Sequence, residues 1–443
     1  MNTGDLGWSG IARLGLAQTA LGAIVVLMTS TINRVMVVEL ALPALVPGFL
    51  VASHYLVQIL RPAWGYGSDV GGRRTPWIVG GMAMLAIGAI GAALGTALVT
   101  ESRLIGLTIA AVAFLLVGMG AGSAGTSVLA LLASRVAPKR RAAAASAVWM
   151  MMILGFAVSA PLAGHFLDPF SNARLIAVTA AVSGAAFGLA ALAVRGVEDG
   201  ARAIGEAPMP ARRSSLSHAL AEVWSESAVR RFTVFIFVSM LAYGAQELLI
   251  EPFAGLVFGM TPGATTKLAG LQHGGVLIGM VGVAIAASTI GGSILGSLRL
   301  WTISGCVASA ALLVGIAASG LLALGPSVFR ACIFMLGLSN GVYAVAAIGS
   351  MMGLAGAGVA TREGTRMGLW GAAQAIAYGS GGVLATGLVD FGRAFGATPL
   401  TAYTLVFVLE SALFVVAAGL ARSSPERQVA ERAAIPAQPA VAA

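Results

Sequence analysis

Residues 104–134 read LIGLTIAAVAFLLVGMGAGSAGTSVLALLAS, bounded by Arg103 and Arg135 with no charge between them. A helix rises about 1.5 Å per residue, so about 20 apolar residues cross a hydrocarbon core of ~30 Å. This stretch is long enough to do so with residues to spare. Other windows of twenty residues or more without Asp, Glu, Lys or Arg run over 14–33, 40–60, 75–100, 142–167, 175–194, 268–298, 300–329, 331–361 and 367–389. Two further spans appear if a few carboxylates are tolerated, 232–258 with Glu247 and Glu251, and 398–421 with Glu410. The sum predicts an all-α membrane protein with twelve transmembrane helices. A β-barrel is excluded, because barrel strands alternate over roughly 10 residues and do not form unbroken apolar runs of this length.

Composition agrees. The chain is 58% hydrophobic and 10% charged, whereas a soluble domain carries roughly a quarter charged residues. The opening residues MNTGDLGWSG lack a basic n-region, so no cleavable signal peptide is expected. Cys306 and Cys332 fall inside apolar spans, which argues against a structural disulfide or a metal motif. The net charge of +9 looks like nucleic-acid bias until it is placed on the topology. With the N-terminus in the cytoplasm, twenty of the 26 Lys and Arg fall on the cytoplasmic side. That is a positive-inside signal, so nucleic-acid binding is dropped and both termini are expected in the cytoplasm.

The polar stretch 196–230, with Pro208 and Pro210, interrupts the rhythm after the sixth span. It reads as a cytoplasmic linker between an N-terminal six-helix bundle (1–195) and a C-terminal one (231–421). The segment 422–443, rich in Ala and Pro with scattered charges, is expected to be a disordered cytoplasmic tail. No Walker loop, dinucleotide-binding glycine motif or heptad array is present.

Between the second and third spans stands Gly65-Tyr66-Gly67-Ser68-Asp69-Val70-Gly71-Gly72-Arg73-Arg74. It resembles the major-facilitator loop signature G-x-L-A-D-R-x-G-R-K at Gly65, Asp69, Gly72, Arg73 and Arg74, with Ser68 as the small residue, and departs at Gly67 and Val70. Asp69 at a helix end can accept charge-assisted bonds from arginines or from a neighbouring helix N-terminus. Such a loop can latch one conformation and release another. The plain alternative is a positive-inside hairpin. The equivalent loop of the second half, Gly296-Ser297-Leu298-Arg299, lacks the acid.

Four stretches resemble one branch of that superfamily, the PucC/LhaA family of bacteriochlorophyll-delivery proteins. They are NRVMVVEL (Asn33–Leu40) followed by Pro43; Arg61-Pro62 leading into the Gly65–Pro76 loop; QELLIEPF (Gln246–Phe253), continuing through Phe258-Gly259-Met260 to Thr265–Leu268; and RMGLWGAAQA (Arg366–Ala375) with Tyr378 and Gly379. The compact loop at residues 67–76 looks most like the subgroup labelled an accessory chain of bacteriochlorophyll synthase. The resemblance implies a chain of the photosynthetic inner membrane that handles bacteriochlorophyll, or a late precursor, as cargo. The implied partners are the synthase, the geranylgeranyl reductase of the pigment tail, and light-harvesting or reaction-centre subunits.

Ionisable groups inside apolar spans are candidate sites by default. Glu247 and Glu251 lie four apart on one helix face, with Tyr243 and Gln246 close by. They could line a polar mouth or a proton-sensitive gate, or form a boundary pair bonded to Lys267 or Arg34, since Pro252 suggests that the helix ends nearby. Arg34 and Glu39 read as a structural pair at the end of the first helix, with pigment or partner contact the other possibility. Glu410 sits midway along the last span and requires a buried partner or a proton. Neutral imidazole is a ligand expected for chlorin magnesium in this family, and His54, beside Tyr55, lies nearest a membrane interior. An ordinary hydrogen-bonded histidine is the alternative. Trp370, Gln374 and Tyr378 recur every four residues as one stripe that could hold a chlorin face, or simply pack.

Three functions compete: a non-enzymatic pigment carrier, a proton-coupled small-solute transporter, and a prenyl-transferring enzyme. The last would hold diphosphate through magnesium on clustered aspartates. The five aspartates, Asp5, Asp69, Asp168, Asp199 and Asp390, all stand more than thirty residues apart. No catalytic activity is therefore expected.

Overall fold

Pro262, Pro326 and Pro399 each occupy the first position of a helix, where a missing N–H costs nothing. Gly259 (φ 64°) and Gly396 (φ 86°) supply the left-handed residues that end the preceding helices. The computed structural model describes residues 6–61, 64, 73–137, 140–198, 222–289, 296–356 and 363–422.

Among the described residues twelve long helices follow from this punctuation: α1 Trp8–Glu39, α2 Leu45–Val57, α3 Thr75–Leu98, α4 Arg103–Arg135, α5 Arg141–Leu167 and α6 Asn172–Val194, then α7 Ser227–Phe258, α8 Pro262–Thr289, α9 Leu298–Leu321, α10 Pro326–Gly356, α11 Glu363–Ala394 and α12 Pro399–Arg422. Eleven are long and apolar enough to cross a membrane, and α2, extended by a tight turn to Leu60, is a shorter apolar helix. Large apolar residues such as Leu104, Leu192 and Val415 point outward, as they do when lipid is the solvent. Interiors are built from small residues; Ala89 and Ala93 of α3 are buried where that helix packs on α4 with its buried Ala110 and Ala113.

The pairing in the first half recurs in the second, six helices on. Helix α1 packs on α5 and α6, α3 on α4 and α6, and α2 on α4; α7 packs on α11 and α12, α9 on α10 and α12, and α8 on α10. The two halves meet through α2 against α11 and α5 against α8. This is the major-facilitator architecture.

Helix α1 runs to Glu39, through wide π turns at Leu27–Ile32 and Val35–Glu39. These turns lie where its polar side chains reach the second half. Thr31 Oγ1 lies 2.9 Å from Thr266 Oγ1, and the Arg34 guanidinium donates to the Met260 carbonyl at 2.6 Å. Helix α7 continues past Pro252 to Phe258, where the apolar span ends. Pro252 lacks the N–H that would bond Leu248, four residues back. That carbonyl instead accepts from the Asn33 side-chain amide at 2.8 Å. These contacts hold the halves together at the end of the bundle farthest from Trp8 and Arg422, here called the distal end.

The linker 196–230 and the tail 422–443 lie largely outside the described residues. So do Gly65, Ser68, Asp69 and Gly72 of the signature loop. Its described edge, Arg73-Arg74-Thr75, meets Glu198 just beyond α6. Glu198 accepts from the backbone N–H of Arg74 at 2.9 Å and of Thr75 at 2.8 Å, and from the Thr75 hydroxyl at 2.5 Å. It thereby caps the first turn of α3.

Candidate functional site

Tyrosine is scarce in this chain, six residues in 443, and three of them converge where the halves meet. Tyr55 of α2 faces Tyr378 of α11, with ring centroids 5.1 Å apart, and Tyr378 faces Tyr243 of α7 at 5.6 Å. Tyr343 of α10 stands behind them, its ring edge-on to Phe414 at 5.7 Å. The approach of α7 to α11 depends on Gly244, where a Cβ would come within 2.8 Å of the Tyr378 Cα. One wall of aromatic rings is thus built from three helices of two halves.

One turn along α7 from Tyr243 lies Glu247, half-buried and without a hydrogen bond or ion pair among the described residues. Its carboxylate is within electrostatic range of the hydroxyls of Tyr55, Tyr243, Tyr343 and Tyr378. A further turn on, Glu251 is buried near Ser30 and Arg34. Arg34 itself pairs with Glu39, besides its bond to Met260. The two acids therefore differ: among the described residues Glu251 has Arg34 nearby and Glu247 forms no ion pair. A charged carboxylate inside a membrane costs roughly 2.5–3.5 kcal/mol on insertion scales, so an unpartnered one needs a reason.

The remaining candidates separate. His54 is buried, with Nε2 at 3.0 Å from Gln58 Nε2, its ring edge-to-face on Tyr55 and its Nδ1 also out of reach. Its Nε2 thus meets Gln58 one turn on, as the hydrogen-bonded alternative expects, and Gln58 in turn binds Arg61. His273 Nδ1 donates to the Ala269 carbonyl, 2.9 Å away, and the ring packs on Phe156; His165 packs on Phe166; His218 lies outside the described residues.

The α11 stripe also divides. Trp370 is 1% exposed, edge-on to Phe232 at 5.3 Å in the core of the second half. Gln374 reaches Met240 Sδ at 3.8 Å, and of the three only Tyr378 joins the tyrosine wall. Gln246 is fully buried with neither amide atom bonded among the described residues, and both oxygens of Glu410 are in the same condition.

Tyr55 and Tyr343 were not legible as site residues. Their signal was rarity: polar aromatics in otherwise apolar spans. The junction offers flat rings for dispersion and stacking beside the half-buried Glu247 carboxylate, which is unbonded among the described residues. Among the described residues no group of three or more His, Cys, Asp or Glu could hold a metal ion.

Comparison with known proteins extends this reading. Residues 31–428 match the family model described as PUCC protein. Over 420 residues the chain is 52% identical to the bacteriochlorophyll synthase 44.5 kDa chain of Rhodobacter capsulatus, covering 94% of this chain and 95% of that one. It is 31% identical to protein PucC of Rhodobacter capsulatus over 430 residues, covering 93% and 91%. Among solved structures, it is similar in fold to the nucleoside transporter NupG (TM-score 0.68, 12% identity, covering 94% and 100%). A bacterial homologue of the lysosomal transporter Spinster, inward-facing and unoccupied, gives the same TM-score of 0.68 at 13% identity, covering 93% and 95%.

Proposed function

The chain belongs to the PUCC protein family, and on that premise we propose that it is a non-enzymatic membrane carrier for bacteriochlorophyll or a late precursor. It passes this cargo to light-harvesting or reaction-centre apoproteins, or between late enzymes of pigment synthesis such as the synthase and the geranylgeranyl reductase. The observation that carries the reading is the tyrosine wall of Tyr55, Tyr378 and Tyr243 beside the lone Glu247. A chlorin is a broad, flat, mostly apolar ring, and stacked or edge-on aromatic faces are the surfaces that hold such a ring. Its isoprenoid tail prefers lipid, so the cargo enters laterally between helices and the tail stays in the bilayer. In this reading the six-helix halves, 1–195 and 231–421, sit in the bacterial inner membrane with both termini in the cytoplasm.

A second reading, proton-coupled transport of a small solute, draws on one observation. Glu247 and Glu251 share a face of α7 beside the contacts that close the distal end.

The test is purification in mild detergent from a photosynthetic host, with an absorbance spectrum, pigment extraction and mass identification of attached proteins. Stoichiometric bacteriochlorophyll or a precursor, with pathway or antenna proteins, supports the carrier. A colourless protein that drives proton-coupled uptake in vesicles overturns it in favour of the transporter.

A further inference from the structure

We infer that Glu247 is the axial ligand through which the chain grips the central magnesium of its pigment cargo. The inference rests on the carrier reading above and adds the atom that does the recognising. Chlorin magnesium has four ring nitrogens in plane and an open axial position, and magnesium prefers oxygen donors. The site must therefore present an oxygen or nitrogen lone pair beside an aromatic face. Among the residues at the junction, Glu247 alone combines the two requirements. It is half-buried, without an ion pair or hydrogen bond among the described residues, and within range of all four tyrosine hydroxyls.

The competing histidines are more deeply buried than Glu247: His54 is 4% exposed, with Nε2 held at Gln58, and His273 is 6% exposed, with Nδ1 donating to the Ala269 carbonyl. Glu251 lies beside Arg34, which already holds Glu39. Gln374, one turn before Tyr378 on α11, is turned to Met240.

On binding, one Glu247 oxygen forms a coordination bond to magnesium and any axial water is released. No electron moves. The rings of Tyr55, Tyr378 and Tyr243 then cover the apolar macrocycle around the metal. A carboxylate among aromatic faces could equally cage an organic ammonium ion. That occupant differs from the pigment in having no open coordination position, and the experiment separates the two.

The purified chain, stripped of pigment, is titrated with bacteriochlorophyll a and with its magnesium-free counterpart bacteriopheophytin a, read by fluorescence and absorbance. The wild type should bind the magnesium pigment at least about tenfold more tightly, the size of one ordinary polar interaction. Glu247→Ala should erase that preference while leaving the magnesium-free pigment bound as before. Glu247→His, which offers an imidazole ligand, should restore it with a shifted absorption band. Equal binding of both pigments by the wild type, or a preference that survives Glu247→Ala, overturns the magnesium contact and leaves the carrier reading intact. Tetraethylammonium bound with Glu247-dependent affinity, without any discrimination between pigments, also overturns it. Binding of neither pigment overturns the carrier reading itself.

Discussion

The side-chain amide of Asn33 donates to the carbonyl of Leu248, the group that Pro252 leaves without its helical partner. A residue of one half thus repairs a helix of the other, at 2.8 Å and fully buried. Asn33→Ala should orphan that carbonyl at a cost of about 1–3 kcal/mol. Pro252→Ala restores the N–H, so Asn33→Ala should cost far less in that background, a coupling of about 0.5–3 kcal/mol. Thermal unfolding in detergent of the four members of this cycle checks it. Strictly additive effects would show that Asn33 does not serve the proline.

Two aspartates act as a matched pair across the same distal end. Asp168, after α5, accepts from the Thr261 hydroxyl at 2.8 Å and the Gly263 N–H at 3.2 Å, at the start of α8. Asp390 of α11 accepts from the N–H groups of Ala44 and Leu45 at 3.0 and 2.7 Å, at the start of α2. Each caps a helix of the opposite half, an interaction worth typically about 1 kcal/mol. Replacing both with Asn should speed labelling of a cysteine placed at Thr31, in a background lacking Cys306 and Cys332, more than either single change. Unchanged labelling would mean these caps do not hold the end closed.

Glu198 offers a pH handle outside the membrane. Burial disfavours its charge, but the hydrogen bonds from Thr75 and the N–H groups of Arg74 and Thr75, with Arg73 nearby, outweigh this and hold its carboxyl below the ordinary range. A depressed carboxyl contributes stability that is present above the unfolded value of about 4.3 and fades as pH falls through the lower folded value. Glu198→Gln should therefore lower the melting temperature at neutral pH and narrow the gap to wild type as the medium is acidified below pH ~4. A gap that does not change with pH would place the contribution of Glu198 elsewhere.

Glu410 is 2% exposed and neither oxygen is bonded among the described residues. A group so placed is carried uncharged, because an unpaired buried carboxylate costs several kcal/mol. Glu410→Gln should leave melting and pigment content unchanged. Glu410→Lys, which cannot be hidden in the same way, should abolish accumulation of the folded chain. A large loss of pigment in the glutamine variant would assign the proton a working role.

Much of this was legible in the residues. Charge-free windows located the spans because lipid tolerates few charges, and the four-residue spacing placed Glu247 and Glu251 on one face of α7. The irregularities inside α1 and α7 were not legible. Wide turns near Asn33 and the rescue of Leu248 depend on a partner more than two hundred residues away. The tyrosine wall was hidden for the same reason: Tyr55, Tyr243 and Tyr378 come together only when α2, α7 and α11 pack. The contact at His54 was closer to hand, since Gln58 stands one turn away on the same helix and meets its Nε2.

Tyr55 belongs to the first half and Tyr378 to the second, with only 5.1 Å between their centroids. Any ligand that touches both rings is also a spacer between the halves, and its affinity becomes a function of their separation. Thermodynamic reciprocity then applies. Whatever favours one separation tightens or loosens the ligand by the same factor by which the ligand favours that separation. Unloading needs no competitor at the site itself: a partner that binds only the other separation, anywhere on the surface, lowers the occupancy of a junction it never touches.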